Sequence, residues 1–140
     1  MKKISALIIL GCVFCIHQAN AAEMSKKIDA HLAHELAKLS LDYHNKGGAL
    51  EFAPKASDND FFVFQGIGTQ STFGWYAVNS WTGDVWNTMS CQRLSNPELR
   101  VEQEKIKKQF NENQMKEYDQ LHALGPHRVS DLELCDSSVR

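Results

Sequence analysis

The sequence predicts an α+β fold: an N-terminal helix, a small antiparallel sheet of three or four strands with a tight hairpin at residues 73–89, and two C-terminal helices. Three observations carry this. Ile28, Leu32, Leu36, Leu39 and Tyr43 recur at spacings of four, four, three and four, the period of one helix face. Residues 61–89 abandon that period for aromatic and β-branched runs broken by glycine. From Ser95 the helical period returns behind capping residues. Helix, strands and then helices, without βα alternation, make a sheet with helices laid against it.

In chain order, Ser25 is placed to cap the first helix and Gly47-Gly48 to end it. Residues 49–53 form a short strand stopped by Pro54, and residues 55–60 a polar loop. Phe61–Ile67 is apolar on both faces, as a central strand is. Gly66-Ile67-Gly68 fits a bend or bulge. A dinucleotide loop would need glycine at position 71, where Ser71 stands, and a helix after it. Strands over 73–78 and 84–89 are joined by Ser80-Trp81-Thr82-Gly83, which suits a type I turn followed by a left-handed glycine. That turn pairs Ser80 with Asp84, Val78 with Trp86 and Tyr76 with Thr88. It puts Tyr76, Val78 and Trp86 on one face, and Trp75, Ala77, Val85 and Cys91 on the other. Ser95 with Glu98, or Asn96 with Pro97, starts the second helix, whose buried side is Leu99, Ile106 and Phe110. Asn111 with Gln114 restarts a third, with Met115, Tyr118, Leu121 or His122, and Leu124 as its stripe. Gly125-Pro126 stops it.

Residues 1–21 read as a secretory signal peptide: Met1-Lys2-Lys3, an uncharged run from Ile4 to Ile16, then Ala19-Asn20-Ala21 at the cleavage site. A lipoprotein signal ending at Cys12 is the rival. The apolar run is shorter than the ~20 residues of a membrane span. Residues 22–140 then form a single α+β domain placed in a periplasm, with no integral membrane span after cleavage. Removing Lys2 and Lys3 takes 15 basic residues to 13 against 17 acidic ones, a formal charge of −4. That charge and the lack of a basic run argue against nucleic acid and anionic membranes as partners. Of four cysteines, Cys91 and Cys135 survive cleavage, and in an oxidising compartment they pair as one structural disulfide.

Little in the chain points to chemistry. His31-Leu-Ala-His34-Glu35 fits neither order of the zinc-protease helix and offers no third ligand, so it reads as a solvated helix face. No metal or cofactor is expected. No Gly-x-Ser-x-Gly elbow exists, and Glu51, Asp58 and Asp60 read as solvated carboxylates. Lys105, Lys107 and Lys108 alternate with Glu102 and Glu104 as a solvated helix face. The aromatic surplus is concentrated in residues 75–87, WYAVNSWTGDVWN. The tail after the last helix must reach Cys91, so the Cys91 face is expected against the helices. Tyr76 and Trp86 with Trp81 at the tip are then candidate partner anchors, and Asp84 a carboxylate for a basic partner. Core packing of all three tryptophans is the alternative.

The stretch Tyr76-Ala-Val78-Asn79-Ser-Trp-Thr82-Gly83-Asp84-Val85 resembles the closing hairpin of PepSY-type domains over residues 28–87, with Asn79 where those domains usually carry an acid. In size, export and missing catalytic motif the chain is also similar to small periplasmic inhibitors and immunity proteins. The expectation is therefore a non-enzymatic binding protein, an inhibitor or immunity-type factor for an exported hydrolase or toxin. The alternatives are an envelope assembly module, dimeric through an edge strand, or an enzyme with an unfamiliar site.

Overall fold

The computed structural model describes residues 28–44, 48–57, 60–68, 71–123, 125–126 and 135. The signal peptide with its rival Cys12, the Ser25 cap, Gly47, Asp58 and Leu124 lie outside the described residues. Helix α1 spans Ala30–His44. Five strands follow: β1 Ala49–Phe52, β2 Phe61–Ile67, β3 Thr72–Asn79, β4 Val85–Asn87 and β5 Gln92–Arg93. Helices α2, Pro97–Lys107, and α3, Met115–Ala123, follow the sheet. The strands form one antiparallel meander in the order β1-β2-β3-β4-β5. The α+β architecture is as the sequence predicts, with β5 as an added edge strand. No described helix is long and apolar enough to cross a membrane.

Helix starts follow local chemistry. Asp29 Oδ1 accepts from the Leu32 amide at 2.8 Å, satisfying one orphan donor of α1. At α2, Asn96 rather than Ser95 is the cap: its Oδ1 accepts from the Leu99 amide at 2.8 Å, with Pro97 in the first turn. Ahead of α3, the side chains of Asn111 and Gln114 each accept from the other's amide at 3.1 Å, a reciprocal capping box.

The hairpin departs from its predicted register. Ala77 pairs with Trp86 and Val78 with Val85, and Asn79 N donates to Asp84 O at 2.9 Å. The loop is one residue longer than predicted, because Asn79 organises it. Its Oδ1 accepts from the amides of Trp81 at 2.9 Å and Thr82 at 3.1 Å, and its carbonyl accepts from Gly83 at 3.0 Å. Gly83 is left-handed at φ 74°, as expected. A β-carbon there would also stand 2.7 Å from Ile106 Cδ1, so the turn is packed directly beneath α2.

The one-residue slip exchanges faces on β4. Phe64, Val78 and Val85 share the main core with Ile28, Leu36, Leu99, Ile106, Phe110 and Tyr118, so the helices cover the Tyr76 face. The expectation that the Cys91 face meets the helices is overturned. Trp86 instead joins Trp75, Ala77, Val63 and Phe61 on the opposite face, beneath Ala53 and Ala56. Gly125 closes over it, its β-carbon position 3.4 Å from the Trp86 ring. The Cys91–Cys135 disulfide is present, with α-carbons 5.4 Å apart. Burial of each large apolar side chain in these layers contributes ~1.5–3 kcal/mol. Between β2 and β3 the register shifts at Gly66/Ile67, the bulge that the paired glycines predict.

Candidate functional site

A cavity of about 340 Å³ opens where the hairpin loop, β5, α2 and α3 meet. Its floor is Asp84, which the turn presents inward and which is 2 % exposed. Thr82 Oγ1 donates to Asp84 Oδ2 at 2.5 Å and accepts from the Asp84 amide at 3.3 Å. The same Oδ2 lies 2.8 Å from His122 Nδ1. Across the ring, His122 Nε2 lies 2.8 Å from Arg93 Nη1, which also donates to the His122 carbonyl at 3.0 Å. Arginine carries only donors, so Nε2 is the acceptor and the ring proton sits on Nδ1, donated to Asp84. A chain of bonds therefore runs Thr82, Asp84, His122, Arg93. Arg93 Nη1 also approaches Asp84 Oδ1 at 3.9 Å.

The remaining wall comes from the helices. Tyr118 stacks on His122, with centroids 5.7 Å apart and planes 13° from parallel. It meets Phe110 edge-on at 4.9 Å, and Lys107 Nζ sits 5.3 Å from its ring centre. Burial first, and then the negative charge of Asp84, pushes the Tyr118 hydroxyl up to about 12. Arg100 and Glu104 also line the cavity. The Arg100 and Lys107 side chains have no hydrogen-bond or ion-pair partner among the described residues. A second, more open hollow lies along α2 between Pro97 and Lys108. It shares Arg100 and Glu104 with the first and holds Val101, 56 % exposed.

The structure separates the residues singled out in the sequence. Tyr76 is 2 % exposed under the helices, so its expected place on an open face is corrected. Asp84 is equally buried and its carboxylate is already engaged, so it does not stand free for a basic partner. Tyr76 is buried because the helices pack on its face of β3, and Asp84 because the longer loop turns it inward. Trp81 is half-buried and packs against the main core, rather than projecting from the tip. Trp86 is half-buried on the other face, and its buried indole N–H has no hydrogen-bond partner among the described residues. The four do not converge on one surface. On α1, His34 Nδ1 lies 3.5 Å from Glu35 Oε1, and His31 is exposed. Among the described residues no group of three His, Cys, Asp or Glu side chains is placed to hold a metal ion.

Arg93, Arg100, Lys107, Tyr118 and His122 escape sequence reasoning. Lys107 reads there as part of a solvated face, and Tyr118 and His122 as core positions of a helix. Only the placement of α2 and α3 against the hairpin loop brings them to Asp84.

No protein-family model matches the chain, and no curated protein does. Among solved structures, it is similar to a chain in the structure of a type VI secretion system effector-immunity complex from Pseudomonas protegens. The identity is 20 % and the TM-score 0.48, covering 69 % of this chain and 91 % of that one. A similarity of that size carries no functional inference.

Proposed function

We propose that this chain is an exported, non-enzymatic binding protein that acts in the periplasm as an inhibitor or immunity-type factor for an exported hydrolase or toxin. One observation carries the reading. The acid and base in the cavity are tied to one another, while its outward cations have no ion-pair partner among the described residues. His122 has Asp84 on one nitrogen and Arg93 on the other, so neither is free to take a proton from a substrate. Arg100 and Lys107 line the same cavity and have no ionic partner among the described residues. With exposed Val101 alongside, this is the mixture of arginine and apolar contact that protein interfaces favour. Trp81 and Trp86, both half-buried, keep a secondary place as aromatic contacts.

The test is capture and inhibition. Immobilised wild-type protein should retain an exported hydrolase from periplasmic extract and reduce its activity. The double variant Arg100→Glu, Lys107→Glu should do neither. Equal retention by both proteins, or a retained enzyme whose activity is unchanged, overturns the reading. An assembly module pairing through edge strand β1 is the second reading, favoured by Phe52 standing 46 % exposed on that strand. Light scattering over a concentration series separates the two: a constant monomer mass excludes edge pairing.

A further inference from the structure

We infer that the cavity between Arg93, Arg100 and Lys107 receives a single carboxylate from the protein partner, a deepening that rests on the binding reading above. The geometry of Arg93 points to it. Nη1 makes both bonds to His122, and no hydrogen bond engages the rest of the guanidinium fork among the described residues. An arginine held by one nitrogen keeps its other donors for a carboxylate, which suits their planar spacing. It is also held in place beforehand: Thr82 fixes Asp84, Asp84 fixes His122, and His122 fixes Arg93. His122 and Asp84 are therefore positioning residues, and little side-chain entropy remains to be lost on binding.

Charge selects the occupant. Three cationic side chains line the cavity against two carboxylates, Asp84 and Glu104, with His122 neutral in the tautomer its bonds require. One unit of positive charge is left. A carboxylate neutralises it, whereas a dianionic phosphate would leave negative charge beside Glu104. Without Lys2 and Lys3 the exported chain carries a formal charge of −4, so a strongly acidic partner surface would be repelled at long range. The fitting partner presents one Asp, Glu or terminal carboxylate on a surface otherwise neutral or basic.

The test uses the exported protein, labelled with ¹⁵N and titrated with sodium acetate, with sodium chloride at matched ionic strength, and with inorganic phosphate. Acetate should give saturable shifts at Arg93, Arg100 and Lys107 that chloride does not reproduce. Arg100→Gln should weaken them at least about tenfold, the weight of one charge-assisted hydrogen bond. Lys108→Gln, outside the cavity, should leave them unchanged, and matching far-UV spectra show that both variants fold. Shifts that follow chloride alone, that survive Arg100→Gln, or that saturate more tightly with phosphate overturn the carboxylate site. If acetate fails to bind while a hydrolase is still captured and inhibited, the cavity assignment falls and the binding reading stands. If acetate binds saturably while no hydrolase is inhibited, the carboxylate site stands and the inhibitor reading falls.

Discussion

Asn79 does three jobs at once, which explains why an amide occupies the position. Its oxygen accepts from two turn amides, and its nitrogen donates to the Leu121 carbonyl at 3.4 Å, joining the hairpin to α3. The residue is 1 % exposed. Aspartate could accept the two amide bonds but would bring a buried charge against a carbonyl oxygen. Asn79→Asp should therefore destabilise the fold by ~1–3 kcal/mol, read from the urea midpoint at neutral pH. An unchanged midpoint would mean that the link to Leu121 carries no weight.

At the scale of the element, α3 is an amphipathic helix whose inward face is polar where it crosses the hairpin loop. Tyr118 and His122, four residues apart, stack along that face. The raised Tyr118 hydroxyl gives this packing a signature in alkali. Below pH 10 the tyrosine is protonated in both the folded and unfolded states. Between pH 10 and about 12 the unfolded chain releases the proton that the folded chain retains, so stability falls as pH rises. Chemical unfolding across that range should show a steeper decline for wild type than for Tyr118→Phe, which keeps the edge contact with Phe110. Parallel declines would remove α3 burial as the cause.

Over the whole molecule, the two sheet faces are closed by different means. The helices α1, α2 and α3 cover one. The other is roofed by the segment carrying Ala53 and Ala56 and by Gly125 over Trp86, with the Cys91–Cys135 bridge tying the far end of the chain to the β4–β5 connection. That bridge closes a separation of 44 residues containing α2 and α3. Replacing both cysteines by serine should cost ~2–5 kcal/mol of unfolding free energy. The check is denaturant unfolding of this variant beside oxidised and reduced wild type. Reduced wild type should match the variant; equal stability of all three would make the bridge energetically idle.

What the sequence determined by itself was local. A helix start at Ser95–Pro97, where the structure then chose Asn96 as the cap, the Asn111–Gln114 box and the left-handed Gly83 each depend on hydrogen bonds or dihedrals spanning four or five residues, and short spacings encode those directly. The α+β layering followed from the change of apolar period along the chain. Tertiary structure decided which face of the hairpin meets the helices, because one extra residue in the Asn79 loop reverses β4 and a two-residue period has no tolerance for that slip. It also decided the cavity. Asp84, Arg93, Arg100, Lys107, Tyr118 and His122 come from a turn, a strand and two helices, and no spacing in the chain announces their meeting. Their charges acquire direction only when packing places Arg93, Arg100 and Lys107 around a carboxylate already committed to its neighbours.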